Sequence, residues 1–303
     1  MKSWLQQILD SQTAVHLISI LGRLLPVGAG HSLADKVADI LCRQQNSNLV
    51  RAIRLNQWVV RGEIQDKSIL DQAVRDSMQS SARTLFDLYH YRNNPRATRT
   101  LFVPEPKVKE FLQRPEFDRG GLVVAGLHIS NFDLTLQWLC QGGLKPLILT
   151  ITDPQGGRKT EYDRRFTDGM NILPTSVSSL LQAIRHLQKG GFVLTGIDRP
   201  IPQPKSRPLF FGHPGALPVH HIFLALKAKV PVILLTVILR EDGKLQISIS
   251  DRIDMDPVAD REKEVIQNAE KVLTVAEGLI RTSPQQWSIS LPVWPELMDK
   301  VPG

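Results

Sequence analysis

Cysteine is scarce in this chain of 303 residues: there are two, Cys42 and Cys140, far apart in sequence. That excludes a disulfide-stapled scaffold and points to free, buried thiols in a reducing compartment. Aromatic residues make up only 6% of the chain, and none is interleaved with basic residues to form a stacking platform for nucleic acid. No apolar run is long enough to span a bilayer. The best stretch, 14–30, is interrupted by His16, Arg23 and Pro26, against the roughly 20 apolar residues a spanning helix needs. The start of the chain has one Lys, an early Asp10 and no clean apolar core, so no secretory signal is expected. There is no Gly-x-Ser-x-Gly elbow for nucleophilic hydrolysis. The DPQGGRKT stretch, 153–160, lacks the leading Gly and the Gly-Lys-Ser/Thr ending of a phosphate loop, and is expected to be a loop near the site. His213, His220 and His221 do not make a metal site, because adjacent residues 220 and 221 point to different faces of a helix. No metal and no cofactor is expected.

What the chain does have is positive charge and alternation. A net charge of +7 and a pI near 9.5 favour anionic partners. The first third reads as helical: Ser32 is placed to cap one helix, Asn48 another, and 67–91 carries apolar residues at helical spacing. Arg43, Arg51, Arg54, Arg61, Arg75 and Arg83 make it the basic part of the chain, either as a solvated surface or as a face for phosphates. Residues 4–25 are apolar over a wide arc. They fit a helix lying in a membrane interface with Trp4 as anchor, or equally a helix packed on the domain. Pro104, Pro106 and Pro115 then break the chain around a short helix at 107–113. Beyond them, strands expected at 122–127, 146–151, 191–197, 230–239 and 245–250 alternate with helices at 131–141, 159–169, 177–189, 219–228 and 257–281. This predicts an α/β fold, a mostly parallel, mixed central sheet flanked by helices. The expected organisation is an N-terminal, membrane-associating helical region, 1–100, packed on an α/β core, 101–303, the two forming one integrated domain.

The chemistry is expected at 120–140, GGLVVAGLHISNFDLTLQWLC. An apolar strand ends in His128, and a helix begins two or three residues later with Ser130 or Asn131 as its N-cap. His128 and Asp133 are five apart, which on one helix would rotate them about 140° relative to each other. They meet only if a turn precedes the helix. An Asp on one ring nitrogen would then fix the tautomer and leave the other nitrogen as a general base for a hydroxyl. The alternative is that Asp133 caps the helix in a Ser130-x-x-Asp133 capping box and His128 is a hydrogen-bonded strand-end residue. Asp198 closes another expected strand, with Arg165 or Arg199 as its expected ionic partner.

His128, four intervening residues and Asp133 resemble the signature of the glycerolipid and lipid A type acyltransferases. The intervening ISNF is similar to the branch of bacterial lipid A late acyltransferases and mycobacterial phosphatidylinositol mannoside acyltransferases. Other blocks resemble that branch in the same order: NSNLVRAIRLN, RRFTDGMNILP with Arg165, LQKGGFVLTGID ending in Asp198, the PLFFGHPGALPVHH block with its Phe211-Gly212 turn, and SPQQWSISLPVW near the end. The resemblance implies an O-acyltransferase at the cytoplasmic face of the inner membrane, peripheral or monotopic. Its acyl group would pass from acyl-CoA or acyl carrier protein, as co-substrate, to a hydroxyl of a glycolipid or lysophospholipid. On this reading His128 is the base and Asp133 its orienter. Arg165, Asp198, Arg199, Ser130, Asn131, Phe211 and Gly212 are the expected substrate-binding residues, and an anionic membrane surface is the expected partner. Three departures leave the acceptor open: Asp133 stands where lipid A members usually have Glu, Arg199 where many have Gln, and 288–292 departs from the closing motif. A thioesterase using the same dyad, or a basic nucleic-acid-binding protein, are the alternatives.

Overall fold

The computed structural model describes residues 12–92, 94–113, 120–150 and 170–303. The helix expected at 159–169, the loop at 153–160, Trp4 and Arg165 lie outside them.

Among the described residues, five helices come first: α1 (Gln12–Leu24), α2 (Val27–Cys42), α3 (Asn48–Val60), α4 (Lys67–Tyr91) and α5 (Pro95–Leu101). Capping explains several starts. The Ser47 side chain accepts from Val50 N–H ahead of α3, and the Asp66 carboxylate accepts from Ser68 and Ile69 N–H ahead of α4. Ser32, expected as a cap, lies inside α2 and bonds back to the Gly28 carbonyl, since the helix has already begun at Val27. The cap before α3 is Ser47 rather than Asn48. Three of the arginines are clasps between helices. Arg75 and Arg83 grip Asp39 and Asp35 of α2 with two hydrogen bonds each, and Arg54 of α3 bonds Asp71 of α4.

The sheet comprises β1 (Phe102–Pro104), β2 (Leu122–Gly126), β3 (Leu147–Thr150), β4 (Asn171–Pro174), β5 (Phe192–Gly196), β8 (Val232–Leu239) and β9 (Leu245–Ile249), in the order β1-β9-β8-β2-β5-β3-β4. From β8 to β4 all neighbours are parallel; β9 turns back antiparallel to β8 and carries β1. β2 is central, with Leu122, Val123, Val124 and Ala125 all buried, which is why its apolar residues run continuously rather than alternating. The intervening helices are α6 (Pro106–Gln113), α7 (Phe132–Gln141), α8 (Val177–Gln188), α9 (His220–Ala228) and α10 (Arg261–Thr282). β1 and β4 carry too few residues to show a period and were not expected as strands. A small hairpin, β6 (Leu209–Phe210) with β7 (His213–Pro214), stands apart from the sheet.

The helical region is tied to the end of the chain rather than only to its neighbours in sequence. Asn56 of α3 donates to the Ile289 and Leu291 carbonyls and accepts from Val293 N–H, and Gln57 donates to the Pro284 carbonyl. Both side chains are buried, so these bonds satisfy groups that would otherwise cost about 1–3 kcal/mol each. Residues 283–294 are thereby fixed beside the carboxyl ends of the parallel strands.

Candidate active site

β2 and β5 are adjacent and in register, Gly126 opposite Gly196. Two residues past each glycine stand His128 and Asp198, which brings them level at the carboxyl edge, where parallel α/β sheets hold their ligands. His128 Nδ1 lies 2.6 Å from Asp198 Oδ1, and the His128 backbone N–H donates to Asp198 Oδ2 at 2.8 Å. The Trp287 indole N–H donates to the same Oδ2 at 2.8 Å. Asp198 is fully buried, and burial alone would raise its carboxyl. The positive charge available to His128, its ring and backbone N–H bonds, and the Trp287 indole outweigh that and hold the carboxyl below its ordinary value. An ionised carboxylate only accepts hydrogen bonds, so Nδ1 carries the proton and Nε2 keeps its lone pair.

The imidazole is 19% exposed while its carboxylate partner is at 0%, an arrangement that shields the carboxylate and leaves the imidazole approachable. Two features seat the ring. The Phe132 ring meets it edge-on with centroids 4.5 Å apart, and Gly196 leaves space where a Cβ would come within 2.9 Å of His128 Cε1. The main chain of the turn is gripped as well: Ser288 donates to the His128 carbonyl from both N–H (2.8 Å) and hydroxyl (3.0 Å), and Ser130 N–H donates to the Gln286 carbonyl at 2.9 Å.

Several expectations change here. The carboxylate on Nδ1 is Asp198, seventy residues away in sequence, and not Asp133, because Nδ1 has one proton and that proton is spent. Asp133 sits in the first turn of α7. Asp198, for which Arg165 or Arg199 was the expected ionic partner, pairs with the histidine; Arg199 follows half-buried in the next position, and Arg165 lies outside the described residues. The cap of α7 is Asn131 without a side-chain capping bond, so the capping box is not formed. Ser130 takes a left-handed φ of 47°, and Asn131 donates from its side chain to the Thr84 carbonyl at 3.0 Å. Both are buried and hold the turn. Phe211 and Gly212 form the two-residue loop of the β6–β7 hairpin, both with positive φ (51° and 78°), as a type I′ turn requires. Phe211 pays the strain of that conformation through its N–H bond to Glu277 (2.6 Å) and the Arg281 guanidinium stacked at 4.6 Å. Phe211 packs with Phe210 and Trp294, and Phe210 with Trp287, so the hairpin backs the site from behind the indole.

Two further histidines are structural. His220 Nε2 meets the Thr195 hydroxyl at 2.7 Å, and burial pushes its pKa down to about 4. His221 is buried beside it and is pushed down to about 3 by burial and by His220, against a small opposing contribution from the Pro218 carbonyl. No group of His, Cys, Asp and Glu among the described residues could hold a metal ion. Both cysteines are free and half-buried, and burial lifts Cys140 to about 11, far from a nucleophilic thiolate. The role of Trp287 was not anticipated. Its only sequence signal is its place in the closing block, SPQQWSISLPVW, which says nothing about its partner.

The sequence profile of the bacterial lipid A biosynthesis acyltransferases matches residues 39–295. No curated protein matches the chain. Among solved structures, the 1-acyl-sn-glycerophosphate (LPA) acyltransferase PlsC from Thermotoga maritima is similar at 17% identity, with 81% of this chain and 97% of that one covered. The TM-score is 0.37, a likeness too loose to bear on the site.

Proposed function

From the premise that the chain belongs to the bacterial lipid A biosynthesis acyltransferase family, we propose that it moves a fatty acyl group from a thioester to a lipid hydroxyl, with His128 as general base and Asp198 as its orienter. The observation that supports this most is the buried Asp198 carboxylate on Nδ1, which leaves Nε2 with its lone pair on a part-exposed ring held in a fixed plane. Nε2 takes the proton of the acceptor hydroxyl as its oxygen bonds to the thioester carbonyl carbon. The C–S bond then breaks, and the proton passes from the imidazolium to the departing thiolate sulfur. Between these steps Asp198 stabilises the imidazolium, and the first-turn amides of α7, which starts four residues past His128, supply positive potential for the oxyanion. No covalent acyl-enzyme is needed. The donor is acyl-CoA or acyl carrier protein, and the acceptor a glycolipid or lysophospholipid.

The same reading includes a peripheral position on the cytoplasmic face of the inner membrane. None of the described helices is long and apolar enough to cross a membrane. α1 and α2 nonetheless turn small residues inward and large apolar residues outward. Gly22 packs against Tyr89, Gly30 against the Phe86 ring, and Ala34 and Ala38 are buried. Leu17, Ile20 and Leu24 of α1, and Leu33, Val37 and Ile40 of α2, are exposed. A helix in water has the reverse pattern, whereas helices facing lipid pack through small residues. The acidic groups of α2, Asp35 and Asp39, are already paired with Arg83 and Arg75 and so repel anionic lipid less.

The test is acyl transfer from acyl-CoA and from acyl carrier protein to lipid acceptors by wild type and His128→Ala. Loss of transfer with an intact fold is expected. Undiminished transfer by the variant would refute the assignment of the base, and thiol release independent of any acceptor would show a thioesterase instead.

A further inference from the structure

The catalytic turn is held by a segment that enters from the far end of the chain, and one side chain in it touches the buried carboxylate. Residues 286–288 run antiparallel beside 128–130, joined at the Ile129–Trp287 bridge. They are rigid in their own right. The Gln286 side chain bonds both the N–H and the carbonyl of Leu239 at the end of β8, and Gln57 fastens the Pro284 carbonyl. Trp287 is 1% exposed, wedged among Phe210 and Trp294, and its indole N–H has Asp198 Oδ2 as acceptor at 2.8 Å.

We infer that Trp287 is a positioning residue for the reaction: its indole N–H orients the Asp198 carboxylate and limits how strongly that carboxylate holds the proton on His128. This rests on the reading of His128 as base. A hydrogen bond to an ionised carboxylate stabilises the charge and makes it a weaker acceptor toward any other donor. Asp198 divides its charge between the imidazole on Oδ1 and two N–H groups on Oδ2, from His128 and Trp287. Without the indole, Oδ2 keeps the His128 N–H, so the carboxylate stays in place but becomes more basic. The imidazolium is then over-stabilised, and the base is protonated at a higher pH. Among the described residues, Asp133 stands in the first turn of α7 and Arg199 follows Asp198; neither is altered by a change at Trp287.

Trp287→Phe keeps an aromatic ring and deletes the donor. The acid limb of kcat/KM for acyl transfer should move up by about half a unit to one unit, a loss of roughly 3- to 10-fold on that limb with a smaller change on the plateau. Phe210→Leu disturbs the same aromatic cluster without touching the N–H bond, and should lower the melting temperature while leaving the limb where it is. A Trp287→Phe profile scaled down at every pH, or a limb moved equally by Phe210→Leu, would reduce Trp287 to packing and overturn the inference. In the wild type, the Trp287 indole proton should shift with pH at the same midpoint as the rate. An indole resonance that ignores that titration overturns the inference without recourse to a variant. Should wild type itself show no acid limb, the base assignment fails, and that outcome is distinct from either of these.

Discussion

Replacing Asp198 by Asn tests the dyad through the tautomer of His128. The variant is nearly isosteric, yet its amide has one acceptor and one donor where the carboxylate has two acceptors. Oδ2 receives two N–H groups, from His128 and Trp287, both at 2.8 Å. Turning the amide NH2 toward them would strand two buried donors at about 1–3 kcal/mol each. The amide oxygen therefore takes that position, and the NH2 faces Nδ1. Nδ1 must then accept, the proton moves to Nε2, and the atom that should receive the acceptor's proton already carries one. Restoring the productive tautomer sets donor against donor, about 1–3 kcal/mol, and the imidazolium formed in the reaction loses a charge-assisted bond worth about 1.5–3 kcal/mol. Together these give about 3–6 kcal/mol, or a fall in kcat of about 10²- to 10⁴-fold at 1.36 kcal/mol per decade. Initial rates of thiol release with a saturating lipid acceptor would measure it, with circular dichroism to confirm the fold. A kcat within fivefold of wild type would refute the tautomer argument and return the orienting role to Asp133.

Gly196→Ala should lower transfer about 10- to 100-fold, since its Cβ would come within 2.9 Å of His128 Cε1 and tilt the ring off Asp198; unchanged rates would mean that the ring seat tolerates displacement. Acid should destabilise the fold through His220 and His221, held neutral at about 4 and about 3 while the unfolded chain protonates them near 6.5. Each contributes a loss of roughly 2 kcal/mol between pH 6.5 and 5, and His221→Gln should flatten that part of the melting-temperature profile; an equally steep profile would contradict the buried neutral histidine. Leu24→Asp, on the outward face of α1, should weaken binding to anionic liposomes about 10-fold or more without altering the melting temperature, and equal binding would place the membrane contact elsewhere.

Why does the sequence single out His128 and miss the carboxylate bonded to it? His128 lies at the junction of a continuous apolar run and a helical period, two local signals that any buried strand followed by a helix must leave behind. The same holds for α4, whose expected span of 67–91 is its observed one. Pairing is a different matter, because which strand lies beside β2 is decided by the crossovers, and β5 is the third strand after it in the chain. Asp198 could be read as the end of a strand but not as a neighbour of His128 until that adjacency and the Gly126–Gly196 register were known. Asp133 looked like the partner because it is close in sequence, and helix geometry said only that a turn would allow the contact. The turn does exist, at Ser130 with its left-handed φ, but its groups are taken by Gln286 and Ser288 from the other end of the chain. The buried polar residues Asn56, Gln57 and Gln286 make the same point. Each is a fastener between segments more than forty residues apart, and no local pattern marks it as one. Local periodicity thus specifies where a catalytic side chain emerges, whereas the protonation state that makes it useful is set by long-range contacts, here a carboxylate from β5 and an indole from the last segment. A substitution that leaves every helix and strand in place, such as Trp287→Phe, is for that reason the kind most able to change the chemistry without changing the fold.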